Sequence, residues 1–185
     1  MGKLILILGG ARSGKSTAAE QLARQIAGNR VLYVATAEGK DNEMRERIAA
    51  HQKQRPTSWR TLEVPLSVAD SIREMSALNT EADVVLLDCV TLLASNILLT
   101  LPEDCTQLEA NQSILNEVEA LLLLIKAQPT TWIIVSNEVG MGVVPPSRLG
   151  RLYQDALGQA NQRVAQDADE VILMVAGLPW KLKPI

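Results

Sequence analysis

Gly9-Gly10-Ala11-Arg12-Ser13-Gly14-Lys15-Ser16 carries the spacing Gly-x-x-x-x-Gly-Lys-Ser, and each fixed position has a task in holding a polyphosphate. The glycines let successive backbone N–H groups turn inward, so the loop and the positive end of the following helix can surround anionic oxygens. Lys15 can reach the β- and γ-phosphates, and Ser16 can offer its hydroxyl to Mg²⁺. Asp83-Val84-Val85-Leu86-Leu87-Asp88 is an apolar run closed by an acid. On a parallel strand beside the loop, the Asp88 carboxylate would hold the same Mg²⁺, directly or through water. A nucleoside triphosphate is the implied ligand.

His51 is the single histidine of the chain. A lone histidine can serve structure as well as catalysis. Here Lys53 and Arg55 place positive charge beside it, which suits a side chain that approaches phosphates. Its neutral imidazole is well populated near neutral pH, so it is a competent nucleophile without an activating partner. Three further segments could line a nucleotide site. Thr36-Ala37-Glu38 follows a β-branched strand, at the kind of position where open α/β sheets collect ligands, or is an ordinary turn. Glu63 can accept hydrogen bonds from a base or ribose, or is a solvated strand-end charge. Asn137-Glu138-Val139-Gly140-Met141-Gly142 is a glycine-bearing loop beyond another strand.

These residues need a scaffold, and the pattern supplies one. Lys3–Leu8, Val31–Ala35, a short strand closed by Pro65, Asp83–Asp88, Thr131–Ser136 and Asp169–Gly177 read as strands. Helices are expected after the glycine loop and over 41–54, 66–75, 89–101, 103–128 and 147–166. The 41–54 helix places only Met44, Ile48 and His51 on an inward face, so it is expected to lie over a cleft, weakly anchored and able to move. The 103–128 helix carries a stripe of Leu108, Ile114, Leu115, Val118, Leu121, Leu122 and Ile125, fit for a core or a subunit contact. Arg148 and Arg151 stand near the start of the last helix, where cations oppose the dipole. Solvation, a phosphate or a neighbouring subunit would each account for them. Alternating strands and helices predict an α/β fold of P-loop NTPase type, a mainly parallel sheet with helices on both faces and room for a mixed edge, in one domain over 1–185.

Composition excludes other classes. The 185 residues are 47% hydrophobic with a net charge of −3, 3% aromatic residues and no Phe. That offers neither a basic field nor stacking platforms for nucleic acid. Every apolar run is too short for a membrane span, and the first leads straight into the phosphate loop rather than a cleavage site. Cys89 and Cys105 have no paired spacing, which fits a reducing compartment and a cytoplasmic protein.

Beyond the generic loop, the chain resembles the bifunctional adenosylcobinamide kinase / adenosylcobinamide-phosphate guanylyltransferase family of cobalamin biosynthesis. The resemblance rests on the phosphate loop and on Tyr33-Val34-Ala35-Thr36-Ala37. It extends to Arg47-Ile48 with His51, Arg55-Pro56 and Trp59-Arg60-Thr61-Leu62-Glu63, and to Leu87-Asp88-Cys89-Val90-Thr91-Leu92. Ser136-Asn137-Glu138-Val139-Gly140-Met141-Gly142-Val143-Val144-Pro145 and Asn161-Gln162-Arg163 complete it. Family members often carry a second histidine where this chain has Ala50.

The resemblance implies two reactions. A nucleoside triphosphate, ATP or GTP with Mg²⁺, phosphorylates adenosylcobinamide. His51 then takes GMP from GTP and passes it to adenosylcobinamide phosphate. By the same carry-over Lys15 assists catalysis. Gly9 to Ser16, Thr36, Ala37, Glu38, Gln52, Lys53, Gln54, Arg55, Glu63 and Asp88 contact the nucleotide, and the protein is a homotrimer. Competing expectations are a small-molecule kinase without guanylyl transfer, and a GTP-switch binding module, against which stands the lack of an Asn-Lys-x-Asp motif.

Overall fold

The computed structural model describes residues 2–39, 42, 45, 46, 48, 49, 52, 55–76 and 82–183. Seven strands form one sheet: β1 (Leu4–Gly9), β2 (Val31–Ala35), β3 (Arg60–Glu63), β4 (Val84–Asp88), β5 (Thr131–Asn137), β6 (Glu170–Val175) and β7 (Leu178–Lys183). The helices are α1 (Lys15–Ala27), α2 (Val68–Ser76), α3 (Val90–Leu98), α4 (Gln107–Lys126) and α5 (Arg148–Asp167). The strand order is β3-β2-β4-β5-β1-β6-β7, parallel throughout except for β7, which runs antiparallel to β6.

The apolar strands follow from burial on both faces, which removes the polar alternation of a half-exposed sheet. Leu4, Leu6 and Leu8 point into a core shared with α2, α3, α4 and α5. Ile5 and Ile7 point to the other side, onto Ala19 and Ala23 of α1, Trp59 and Cys89. Both faces therefore carry helices, as expected, but unequally: four described helices on one and α1 on the other. Within the expected 41–54 helix, Asn42, Arg45, Glu46, Ile48, Ala49 and Gln52 are helical, with Ile48 half-buried and the others exposed. Asp41, Met44, Ala50 and His51 lie outside the described residues, as do 79–81 of the expected turn before β4.

Several boundaries move for local reasons. The helix expected from 103 begins at Gln107 because Thr106 forms a capping box: its hydroxyl accepts from the Glu109 N–H while the Glu109 carboxylate accepts from the Thr106 N–H. In the α4 stripe Ile114, Val118, Leu121, Leu122 and Ile125 are core, Leu115 is half-buried, and Leu108 in the first turn is exposed. Arg148 and Arg151 are not simply solvated. Arg148 donates to the carbonyls of Glu103, Asp104 and Cys105, and Arg151 to those of Pro145 and Pro146. They pin the loop before α4 and the loop before α5.

The segment after Gly177 is the antiparallel strand β7. Ala176 and Gly177 both have positive φ, 51° and 82°, the two-residue turn whose twist suits a tight hairpin. Pro179 hides the strand in the sequence, yet it is tolerated because β7 is the sheet's edge.

The α4 cap has a pH signature. Hydrogen bonds from the Thr106 backbone and hydroxyl hold the Glu109 carboxylate below its ordinary 4.5. The cap thus stabilises the fold fully above that value and loses its contribution as pH falls through the folded pKa. Glu109→Ala is expected to lower the urea midpoint clearly at neutral pH, with the difference from the parent shrinking as pH falls below the ordinary carboxylate range.

Candidate active site

The register of the parallel strands sets their carboxyl ends side by side. Gly9 lies opposite Asn137, Ala35 opposite both Asp88 and Glu63, and Asp88 opposite Val135. The phosphate loop leaves the sheet at that edge. A Cβ on Gly9 would stand 2.4 Å from Ser13 Oγ and 2.8 Å from the Met174 carbonyl oxygen, so only glycine passes there. Arg12 and Gly14 adopt positive φ, 57° and 89°, turning successive N–H groups towards one concavity at the start of α1.

Gly10 O accepts from Ser13 N at 3.3 Å and from Lys15 Nζ at 3.2 Å, so the lysine folds back over its own loop. Burial draws the Lys15 ammonium below its ordinary 10.5, against the opposing fields of Cys89 and Asp88. The hairpin turn braces the loop from behind, Gly177 N donating to Ser13 O at 3.0 Å.

Asp88 closes β4 beside this loop. Tyr33 of β2 donates its hydroxyl to Asp88 Oδ2 at 2.8 Å. The Arg55 guanidinium lies 3.4 Å from the centroid of the Tyr33 ring, a cation–π stack. Arg55 Nε is also 3.9 Å from Glu20 Oε1 on α1, with both side chains largely buried. Burial raises the Glu20 carboxyl, and Arg55 pulls it back down. Burial, reinforced by Asp88, raises the Tyr33 hydroxyl, keeping it a proton donor at any working pH.

Thr36 is fully buried. Its hydroxyl accepts from Cys89 N at 2.9 Å and donates to Cys89 O at 2.7 Å, and its N–H donates to Asp88 O at 3.2 Å. Thr36 thus clamps the end of β4 to the end of β2. Asn96 of α3 adds to the clamp, donating to Thr36 O at 2.8 Å and Pro65 O at 3.1 Å. Burial pushes the neighbouring Cys89 thiol up to about 12, leaving it inert. Ala37 and Glu38 follow, half-buried.

Of the residues expected around His51, Gln52 and Arg55 are described and His51, Lys53 and Gln54 are not. Gln52 Nε2 donates to Glu63 Oε1 at 2.9 Å at the end of β3. The two described residues after His51, Gln52 and Arg55, therefore meet the sheet edge at β3 and β2, the latter through the Tyr33 ring that serves Asp88.

On the other flank, Glu138 N donates to Gly9 O at 3.2 Å. The Thr91 hydroxyl accepts from Asn137 N at 2.6 Å, and Asn161 Nδ2 donates to Asn137 O at 2.9 Å. The sequence reading missed Glu20, Asn96 and Thr91 as parts of this edge. Their signals are faint: an acid on the alanine-rich face of α1, and single polar residues inside the apolar run of α3.

The fold recurs among solved structures. The flagellar accessory protein FlaH of Methanocaldococcus jannaschii matches with a TM-score of 0.52 at 16% identity, covering 99% of this chain and 79% of that one. A KaiC-like protein of Pyrococcus horikoshii matches with a TM-score of 0.50 at 19% identity, covering 93% of this chain and 70% of that one. These are P-loop NTPase folds.

Full-length sequence relatives are closer. The bifunctional adenosylcobalamin biosynthesis protein CobP of Pseudomonas aeruginosa is 45% identical, covering 96% of each chain. The bifunctional adenosylcobalamin biosynthesis protein CobU of Salmonella typhimurium is 39% identical, covering 97% of this chain and 99% of its own. The profile of one family, cobinamide kinase / cobinamide phosphate guanyltransferase, matches residues 5–182. With its phosphate loop, its strand-end acid and these full-length relatives, the chain belongs to the cobinamide kinase / cobinamide phosphate guanyltransferase family.

Proposed function

We propose that one edge of this sheet performs both reactions of the family: phosphoryl transfer from a nucleoside triphosphate to the aminopropanol hydroxyl of adenosylcobinamide, then GMP transfer from GTP to the resulting phosphate through His51. The observation that carries the reading is the convergence at that edge of the phosphate loop, Asp88 and the described residues Gln52 and Arg55, which follow His51 in the sequence.

In the first reaction the loop N–H groups and Lys15 hold the β- and γ-phosphates, and the loop's rigidity keeps the transferring phosphorus in line with the acceptor oxygen. The residues present suit Mg²⁺. Ser16 and Asp88 offer hard oxygen donors, and the Tyr33 hydroxyl engages only Asp88 Oδ2. When bound, the ion neutralises charge on the phosphate oxygens.

In the second reaction neutral His51 attacks the α-phosphorus of GTP. An N–P bond forms as the bond from the α-phosphorus to the bridging oxygen breaks and pyrophosphate departs. An oxygen of the corrinoid phosphate then displaces the imidazole, and GMP is transferred. Gln52, Lys53, Gln54, Arg55, Thr36, Ala37, Glu38 and Glu63 are assigned to the nucleotide's surroundings. For Thr36 that role is structural, because Cys89 occupies its hydroxyl.

A homotrimer completes the reading. It is supported by the exposed apolar residues Leu178 and Trp180 on edge strand β7 and Val143 in the loop after β5. Among the described residues no helix is long and apolar enough to cross a membrane.

Incubation with α-labelled GTP is expected to leave an acid-labile, alkali-stable label on the protein. The label should be absent from His51→Ala, while phosphorylation of adenosylcobinamide by ATP persists in that variant. An unlabelled parent protein that still phosphorylates adenosylcobinamide would leave a kinase alone. Tyr33→Phe removes the hydrogen bond that orients Asp88. It should raise the Mg²⁺ concentration for half-maximal phosphoryl transfer by about tenfold or more, with little change in thermal midpoint, as read from Mg²⁺ titrations.

A further inference from the structure

A groove of about 810 Å³ runs along α5, walled by the loop after β5 and by the end of β7. One of its ends lies at the phosphate loop. Leu8, the residue before Gly9, lines it, as does Glu138, whose N–H holds Gly9 O. The lining is rich in primary carboxamides: Gln107, Gln154, Gln159, Asn161 and Gln162 all face it. Three of these already have tasks, Gln107 donating to Asn111 Oδ1 and Leu152 O, Gln154 to Val139 O and Asn161 to Asn137 O. The Gln159 and Gln162 side chains are exposed on the groove wall with no hydrogen bond among the described residues.

Gly158 supplies an independent sign. It lies in the middle of a twenty-residue helix, where glycine is the least favourable residue after proline. Neither packing nor backbone requires it, since a Cβ there would meet nothing within 4 Å and its φ is not positive. What an unneeded helix glycine does here is keep the wall of the groove flat and clear. The volume falls in the range of about 300–1,000 Å³ that takes cofactor-sized ligands.

We infer that this groove seats the acceptor substrate, holding the carboxamide-bearing rim of the corrinoid against the amides of α5 while its hydroxyl arm reaches the phosphate loop. Primary amides both donate and accept, so a wall of Gln and Asn pairs reciprocally with a ligand edged by the same group. Such a wall also leaves a charged nucleotide to the loop. Ala165, Val171 and Leu182 give the ring an apolar surface. The assignment rests on the proposed kinase and guanylyltransferase reading and extends it to residues outside the nucleotide site.

Equilibrium dialysis with adenosylcobinamide, followed by corrin absorbance, tests it on the intact protein. Gly158→Ala should bind like the parent. Gly158→Trp, which fills the groove from a position with room for a side chain, should lose about tenfold or more in affinity. The double variant Gln159→Leu/Gln162→Leu should lose a comparable factor through unpaired amides on the ligand. GTP affinity and the mass by light scattering should stay as in the parent for all three. Corrinoid affinity within about twofold of the parent in Gly158→Trp would overturn the assignment. So would a fall in mass in that variant, which would make the groove a face between copies. A parent protein that binds GTP but retains no adenosylcobinamide would instead overturn the functional reading beneath it.

Discussion

The parallel register of β2, β4, β5 and β1 is the constraint on which the site depends. Because side chains alternate along a strand, a slip of one residue would turn every buried side chain to the opposite face. In β4, Leu86 and Leu87 face opposite cores, and only the next residue, Asp88, emerges at the edge. The pairs Ala35 with Asp88 and Gly9 with Asn137 then fix the acid relative to the phosphate loop. Thr36 locks that alignment where strand hydrogen bonding ends, giving its hydroxyl to both backbone groups of Cys89. Satisfying those groups inside a dry edge is also what makes the arrangement rigid, since an unpaired backbone polar group there would be expensive.

Charge at the site is organised by a column rather than by a single pair. Arg55 lies over Tyr33, and Tyr33 donates to Asp88, so a cation is stacked on a ring whose hydroxyl supports an anion. Glu20 faces the same guanidinium from α1. At 3.9 Å the contact is an ion pair without a hydrogen bond, and Glu20 Oε1 and Arg55 Nε have no hydrogen-bond partner among the described residues. Arg55 is thus held from below by the ring's quadrupole and from the side by charge. That ties the end of the His51 stretch to the strand bearing the acid without consuming the acid's second oxygen.

Much of this was legible in the sequence, for physical reasons. A parallel sheet buried on both faces writes itself as uninterrupted apolar runs, and a phosphate loop needs its glycines wherever it occurs, so Gly9, Lys15, Ser16 and Asp88 announced both fold and ligand class. What escaped was whatever depends on a partner distant in sequence. Arg148 and Arg151 looked like cations misplaced on a helix dipole, and only the folded loops supply the five carbonyls they hold. Pro179 disguised β7, because a missing N–H disqualifies a central strand but not an edge one. That Thr36 also clamps the end of β4 to that of β2 could not be read from the sequence, because Cys89 lies 53 residues away.

The unequal covering of the sheet sets how firmly each side of the strand-end edge is held. Four described helices seal one face, and their packing leaves that side of the site fixed, with Thr91, Asn137 and Asn161 bonded in series. The opposite face rests on α1, Trp59 and small contacts, with Trp59 anchored through its indole N–H to Gly28 O at 2.9 Å. The helical residues from Asn42 to Gln52 add little apolar area to it, Ile48 being the half-buried member and Ala49, Arg45 and Glu46 exposed. With so small a hydrophobic anchor, the polar contacts at the C-terminal side count for more, here Gln52 on Glu63 and Arg55 on Tyr33. The phosphate loop, by contrast, is braced through β1, α1 and the β6–β7 turn, where Gly177 N donates to Ser13 O at 3.0 Å, so the cradle keeps its shape.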